Sequence, residues 1–149
     1  MTVVTSTHYR ALAALRYRIR IFLRAGDAAA RRAGLEPQQY LLMLAVRGLP
    51  ADVEPTIQTL AKQLTLKHNS TVELIDRLEK RGYVRRSRSP EDRRRVLVSL
   101  LSRGDRLVAR VARQRITELR AEGTALVDAL DSLLGRKQSR AMRNRATPR

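Results

Sequence analysis

Apolar residues along much of this chain recur at intervals of three and four, the spacing of a helix that buries one face. Residues 7–34 show this most clearly, as a heptad-like seam of Leu12, Leu15, Ile19, Phe22, Gly26, Ala29 and Ala33. Further apolar residues beside the seam, such as Leu23, predict that this helix packs against both its own core and a second subunit. Gly34 ends the helix, and Pro37 begins a second one over about residues 37–47.

A loop rich in Pro and Gly, residues 48–55, separates this helical segment from a more varied one. Thr56 is placed to cap a short helix, and the link at residues 64–66 leads to another helix over about residues 67–81, which is expected to bury Val72, Ile75 and Leu78. Gly82 ends that helix. Strand patterns at residues 83–89 and 94–100 then flank a Pro-containing turn. The order predicts a helix-turn-helix followed by a β-hairpin, or wing.

The last third of the chain returns to the helical pattern. Ser102 and Asp105 mark a helix start, and apolar residues continue to Leu119. We expect Gly123 to separate this helix from a final one that Gly135 ends. The predicted fold class is therefore mainly α with a small β-hairpin wing.

The net charge of the chain indicates what kind of partner it binds. The chain has 31 Lys and Arg against 14 Asp and Glu, a net charge of +17, which favours a polyanionic partner. No apolar run is long enough to span a membrane, and the N-terminus has no apolar signal core, so a cytoplasmic protein without membrane contact is expected. There is no cysteine, the two histidines suggest no metal site, and no nucleotide-binding or catalytic motif is found. We expect no cofactor and no enzymatic activity.

The middle of the chain resembles the MarR (multiple-antibiotic-resistance regulator) family of transcription regulators. The resemblance rests on three runs: Thr56-Ile57-x-x-Leu60-Ala61, then Ile75-Asp76-Arg77-Leu78-Glu79-Lys80-Arg81-Gly82-Tyr83-Val84, then Pro90-Glu91-Asp92-Arg93-Arg94-Arg95-Val96 with Gly104 after it. The resemblance extends in order over about residues 8–135. Glu36 and Leu101 depart from the residues that the family often has, which predicts small shifts of helix boundaries.

The resemblance implies a homodimer on a pseudo-palindromic operator in double-stranded DNA. Under it, residues 1–34 form an N-terminal dimerisation helix, residues 35–101 the DNA-binding winged helix-turn-helix, and residues 102–135 the C-terminal dimerisation helices. Residues 136–149 form a basic tail that is expected to be disordered, and the family does not explain it.

The candidate DNA-binding residues lie on the helix predicted over residues 67–81 and on the wing. Opposite the apolar face of the helix over 67–81, the polar side chains suit base edges: Asn69, Glu73, Arg77 and Lys80, with Ser70 beside them. Lys67, His68 and Thr71 lie around the N-terminal end of this helix, where the helix dipole and the free amides also suit phosphate. Glu73 accepts from cytosine or pairs with Arg77. The wing supplies Arg86, Arg88, Arg93, Arg94 and Arg95. The resemblance implies that Arg94 enters the minor groove, with Asp92 bracing either Arg94 or Arg86.

The resemblance also implies a small-molecule effector, with Arg16, Tyr17, Tyr40 and Met43 on the two helices that border its pocket. Each of these residues is alternatively an ordinary core or surface residue. The leading hypothesis is a sequence-specific repressor or activator that an effector releases from DNA. The alternative is an architectural protein with little sequence preference, since phosphate contacts alone give strong non-specific binding. RNA binding is disfavoured because the aromatic residues of the common RNA-binding sheets are missing.

Overall fold

The computed structural model describes residues 3–135, and the predicted basic tail lies outside the described residues. Their elements follow in the order α1 (Ser6–Arg32), α2 (Pro37–Gly48), α3 (Ile57–Leu64), α4 (His68–Lys80), β1 (Val84–Arg88), β2 (Val96–Leu100) and α5 (Ser102–Leu133). The strands pair antiparallel, with Val84 opposite Leu100 and Arg88 opposite Val96. The predicted fold class, mainly helical with a β-hairpin wing, is confirmed. No helix of the described residues is long and apolar enough to cross a membrane.

The helix ends follow the local signals in the sequence. Thr56 Oγ1 accepts a hydrogen bond from the Thr59 amide at 3.1 Å, which caps α3. At the start of α2, the side-chain oxygen of Gln39 accepts from the Glu36 amide at 3.0 Å, so α2 begins at Pro37 although Glu36 is not Ser or Thr. Gly34 and Gly82 have φ angles of +82° and +72°, which a residue with a Cβ rarely adopts.

The C-terminal segment differs from the prediction. Gly123 does not separate two helices, because α5 continues without interruption from Ser102 to Leu133. A glycine inside a helix lowers the stability of that helix by about 1 kcal/mol relative to alanine, and the surrounding helix-forming residues offset this loss. The expected break at Gly123 was therefore wrong.

The contacts divide the chain into two compact units. One contains the segments up to Gly26 and from Arg115 onward, and the other is Asp27–Gln114. The second unit has a core of small and branched side chains from every element in it, with Leu42, Met43, Leu60, Ile75, Leu78, Val84, Val98 and Val111 almost fully buried. This core joins α3, α4 and the hairpin into one body, so the winged helix-turn-helix is a packed unit.

A close backbone approach fixes the start of α5 against the start of the wing. The Leu101 amide donates to the Tyr83 carbonyl at 2.9 Å. Gly104 is buried, and a Cβ placed on it would overlap the Tyr83 carbonyl oxygen and lie 3.0 Å from the carbonyl carbon. Only glycine fits here, because the opposing atoms belong to the backbone and have little freedom to move.

In the other unit, a buried guanidinium joins α1 to α5. Arg115 donates to the Phe22 carbonyl at 2.9 Å, and its guanidinium lies 4.8 Å from the centre of the Phe22 ring. It also pairs with Glu118, one turn further along α5. A buried arginine is stable only when paired in this way.

Candidate nucleic-acid interface

The turn between α3 and α4 sets the direction of the second helix. Thr65 ends α3 with φ +55°, in the left-handed region, and its amide donates to the carbonyls of Ala61 and Lys62. The Leu66 amide also returns to the Ala61 carbonyl at 2.9 Å. These bonds satisfy the last carbonyls of α3 and let α4 begin only a few residues later. The sequence predicted a tight link here but did not indicate a threonine in this conformation.

One face of α4 is exposed and polar. The predicted residues on it are all exposed: Asn69, Ser70, Glu73, Arg77 and Lys80, with Lys67 and His68 just before and at the start of the helix. A face of this width is suited to a major groove, since amide, hydroxyl and guanidinium groups are the ones that pair with base edges. The structure places these side chains on one surface, and their contacts with DNA remain predictions.

The buried face of α4 is turned slightly from the one predicted. Thr71 and Leu74 are buried with Ile75 and Leu78, whereas Val72 is only half-buried. The hydroxyl of Thr71 donates to the Lys67 carbonyl at 3.0 Å, one turn earlier. Thr71 was predicted to suit phosphate near the start of this helix, but its side chain is buried, because a hydroxyl satisfied within its own helix can lie in the core.

Arg86 on β1 fastens the wing to α4. Its guanidinium pairs with Asp76 and, at 3.4 Å, with Glu79, while its backbone amide donates to Glu79 Oε2 at 2.9 Å. The hydrogen bond with Asp76 is the main reason that the pKa of Arg86 is raised above its ordinary value. Arg86 was predicted to contact DNA, and Asp92 was one candidate to brace it. The structure assigns that bracing to Asp76 and Glu79 instead, and gives Arg86 an internal role.

Asp92 braces Arg94 at the tip of the wing, as one of the two alternatives proposed. Asp92 Oδ1 accepts from the Arg94 amide at 3.1 Å and from its Nε at 3.2 Å. These bonds, first the one from the backbone amide, lower the pKa of Asp92. The Arg94 side chain is nevertheless 92% exposed. The wing therefore presents a guanidinium that is oriented at its base and open to a ligand at its end.

Two of the other wing arginines have side-chain partners within the protein. Arg95 pairs with Glu54 Oε2 at 2.7 Å, and Arg88 donates to the Arg93 carbonyl at 3.2 Å. Arg93 is exposed. All of the predicted wing arginines thus lie on or beside one hairpin, but they differ in how much of each guanidinium is available for DNA.

Sequence reasoning missed Glu54, which anchors the wing from the loop before α3. Besides pairing with Arg95, it accepts from the buried Ser89 hydroxyl at 3.4 Å. The next residue, Pro55, accepts from the Val98 amide at 2.9 Å. No local signal identifies Glu54, because its partners lie 35 and 41 positions further along the chain.

Arg81 was also missed, and it connects the C-terminal end of α4 to the first turn of α2 and to the segment before it. It donates to Gln39 Oε1 at 3.0 Å and to the Gly34 carbonyl at 2.8 Å. Its guanidinium also lies 4.9 Å from the centre of the Tyr83 ring. Arg81 therefore holds α4 in place, whereas its position in a basic run made it look like one more surface charge.

The four effector candidates fall into two environments. Tyr40 and Met43 are buried in the core of the unit Asp27–Gln114, whereas Arg16 and Tyr17 are exposed on α1. Their role at an effector stays a prediction. Among the described residues, no group of three or more His, Asp or Glu side chains is placed to hold a metal ion.

Comparison with known proteins gives a family match over the middle of the chain. The MarR family model matches residues 35–96. The HTH-type transcriptional regulator YsmB of Bacillus subtilis is 38% identical over 65 residues, which is 44% of this chain and 44% of that protein. The chain thus matches less than half of the length of this relative.

Three solved structures are similar to this chain over most of their length. A MarR family protein of Bacillus stearothermophilus has a TM-score of 0.71 at 20% identity, covering 98% of this chain and 100% of that one. The transcriptional repressor CouR, bound to a 23-mer DNA duplex, has a TM-score of 0.56 at 27% identity, covering 87% and 83%. CouR of Rhodococcus jostii RHA1 has also been solved with p-coumaroyl-CoA, with a TM-score of 0.63 at 24% identity, covering 80% and 87%.

Proposed function

We propose that the protein is a MarR-type transcriptional repressor that binds a pseudo-palindromic DNA operator as a homodimer, because the MarR family model matches residues 35–96, which cover most of the winged helix-turn-helix. The observation that carries the proposal is the pairing of two elements in one unit: the exposed polar face of α4 and Arg94 on a wing that Arg86 fastens to α4. A helix fits the major groove, and an arginine fits a narrow minor groove. The proposal includes no catalytic role, and it places the protein in the cytoplasm with bacterial DNA.

Sequence preference would come from the side chains on α4. Asn69 suits the paired donor and acceptor of adenine, and Arg77 suits the two acceptors of guanine. Glu73 is exposed and suits the amino group of cytosine. A protein that bound only through charge would not need an amide and a carboxylate on this face, so the composition of the face supports operator recognition.

The homodimer is supported by apolar side chains that the single chain leaves exposed. In the unit that contains the segments up to Gly26 and from Arg115 onward, the exposed large apolar residues include Tyr9, Leu12, Tyr17, Ile19, Phe22, Leu23, Ile116, Leu119, Val127, Leu130 and Leu134. Exposed apolar surface on this scale marks an interface in soluble proteins. A second copy of the chain would cover it, and two α4 helices would then need half-sites about 34–36 Å apart.

Control by a small molecule is supported by the complex of CouR with p-coumaroyl-CoA. For this chain, we propose that an effector binds one arrangement of the dimer more tightly than the other, which shifts the population away from the DNA-binding arrangement. The predicted pocket residues Arg16, Tyr17, Tyr40 and Met43 are the first positions to substitute once an effector is identified.

The test is fluorescence anisotropy with the DNA upstream of the gene and a scrambled duplex of equal length, between about 50 and 200 mM salt. We expect the native duplex to bind at least about a thousandfold more tightly. Arg94→Ala and Asn69→Ala should reduce this ratio. Arg120→Ala is the matched control, because it removes an exposed charge from the other unit and should leave the ratio unchanged.

Equal binding of both duplexes would point instead to an architectural DNA-binding protein, the alternative that the net charge of +17 favours. Sequencing of genomic fragments bound by the purified protein separates the two functions. Enrichment of a few sites supports operator recognition even if the upstream DNA is not the operator, whereas uniform recovery of the genome contradicts it.

A further inference from the structure

A cleft of about 340 Å³ on α5 is lined by four arginines. Its lining consists of Tyr83, Leu107 and the arginines Arg103, Arg106, Arg110 and Arg113. The arginines follow one another at steps of three and four, so they share one face of the helix, and all four are exposed. Among residues 3–135, no acidic residue lines the cleft, and none of the predicted DNA-binding residues of α4 or the wing takes part in it.

Neighbouring arginines on one face of a helix repel each other. Like charges at positions i, i+3 and i+4 have this effect, and Arg103, Arg106 and Arg110 form two such neighbouring pairs. Asp105, which is next to Arg106 in the sequence, pairs with Arg47 at 2.9 Å instead. The carboxylate of Asp105, in the first turn of α5, therefore neutralises an arginine outside the stripe.

One end of the stripe is already held in place. Arg103 lies over the buried Tyr83 ring, 5.2 Å from its centre, and donates to the Arg81 carbonyl at 3.4 Å. A guanidinium fixed in this way loses little freedom when it binds an anion, and its planar fork matches the oxygens of a phosphate group.

We propose that this cleft is a binding site for a ligand with two or more phosphate groups. The stripe from Arg103 to Arg113 spans ten residues, or about 15 Å of helix, which is longer than one phosphate can bridge. The phosphates come either from a free polyphosphate or nucleotide, or from the backbone of bound DNA. Only the second source rests on the proposed DNA-binding function.

The test uses sodium tripolyphosphate as the probe, titrated calorimetrically into the full chain without DNA. We expect the wild-type protein to bind it, and Arg106→Gln/Arg110→Gln to bind at least tenfold more weakly. The matched control is Arg20→Gln/Arg24→Gln, which removes two exposed charges at the same spacing from α1. Absence of wild-type binding, or an equal loss in both double variants, overturns the proposal.

Arg106→Lys/Arg110→Lys keeps the charge and loses only the planar fork, so it should bind with intermediate affinity. It also keeps the test valid if the glutamine variant does not fold, which thermal unfolding followed by circular dichroism reveals. If the lysine variant binds tripolyphosphate as tightly as the wild type, the fork has no role and the proposed site is contradicted.

The salt dependence of binding to a random-sequence duplex then identifies the source of the phosphates. Each phosphate contact contributes about 0.9 to the slope of log K against log salt concentration. A slope reduced by about 2 in Arg106→Gln/Arg110→Gln, but not in the control, assigns the site to DNA. Equal slopes assign it to a free ligand. If the wild-type chain does not bind DNA at all, the proposed function fails while the tripolyphosphate result stands.

Discussion

Asp92 Oδ1 accepts hydrogen bonds from both the backbone amide and the Nε of Arg94, at 3.1 and 3.2 Å. The two residues are separated by only one position, so the wing tip orients its own arginine without help from another element. Neither bond uses the terminal nitrogens of Arg94, and the side chain is almost fully exposed. The wing tip is therefore prepared for an anion before any ligand arrives, which reduces the ordering needed on binding.

The pKa of Asp92 is the first quantity to measure. It should lie below the ordinary value of about 3.9, because the bonds from Arg94 favour the carboxylate. The arrangement of the wing tip is thus complete above the ordinary pKa and is lost as the pH falls through the lowered one. An NMR titration of the side-chain carboxyl in the wild type and Arg94→Ala checks this. Because the backbone amide is the larger cause, Arg94→Ala should restore the pKa only in part, and a full return would contradict this assignment.

Arg86→Ala should loosen the wing from α4. The partners Asp76 and Glu79 are partly exposed, so solvent screening limits the loss of stability to about 1 kcal/mol. Hydrogen exchange of the amides of β1 and β2 should accelerate, and DNA affinity should fall. Arg86→Lys retains the charge and should restore part of the protection. Unchanged exchange in Arg86→Ala would show that the core alone positions the hairpin.

Gly104→Ala should be among the most damaging small substitutions in the chain. The added Cβ meets the backbone of Tyr83, so α5 or β1 must move, and we expect a loss of about 3 kcal/mol or more in the free energy of unfolding. Gly48→Ala is the matched control, since nothing lies within 4 Å of its added Cβ. Its stability should change by less than about 1 kcal/mol. Urea unfolding of both variants measures the difference, and similar losses would contradict the close approach.

Thr65→Asn should stabilise the protein by about 1 kcal/mol. Thr65 holds φ +55°, a conformation that is unfavourable for a β-branched residue and better tolerated by asparagine. Thr65→Val keeps the branch and should give no gain. Thermal unfolding monitored by circular dichroism compares the three proteins. An asparagine variant less stable than the wild type would mean that the threonine side chain makes a contribution of its own.

Leu23→Glu should separate a homodimer into single chains. Leu23 is 58% exposed, so the charge costs little in the isolated chain but is unfavourable in an apolar interface. Light scattering after size-exclusion chromatography should give the 16.9 kDa of one chain for this variant and twice that for the wild type. Leu41→Glu, at 41% exposure in the other unit, is the control and should keep the wild-type mass. A wild-type protein that elutes as a single chain removes the homodimer from the proposal.

The sequence predicted most helix and strand boundaries, because the interactions that set them join residues close together in the chain. Thr56 caps α3 through a residue three positions away, and Gly34 and Gly82 allow turns that a Cβ would oppose. The strand and turn pattern predicted the wing, and the family resemblance added the role of Arg94 at its tip. The exposed face of α4 was also predictable, since its polar positions share one side of the helix.

The remaining features depend on partners that are distant in the sequence. Glu54, Arg81 and Arg115 each bind a group more than 30 positions away, so no spacing rule identifies them. Thr71 can be buried because its hydroxyl bonds to a carbonyl of its own helix. A helical wheel does not show this bond, since it records Thr71 only as a polar residue. The uninterrupted α5 shows that a glycine alone does not end a helix unless the chain also turns there.

The contact between Gly104 and Tyr83 also limits which substitutions this protein tolerates. Every other amino acid carries a Cβ, so each missense change in this codon meets the same carbonyl group, whatever its polarity or size. A saturation library selected for function should therefore recover glycine alone at position 104, while the neighbouring exposed position 103 accepts several residues. The constraint comes from one backbone oxygen and is independent of any ligand, so it should persist even in relatives that bind different DNA.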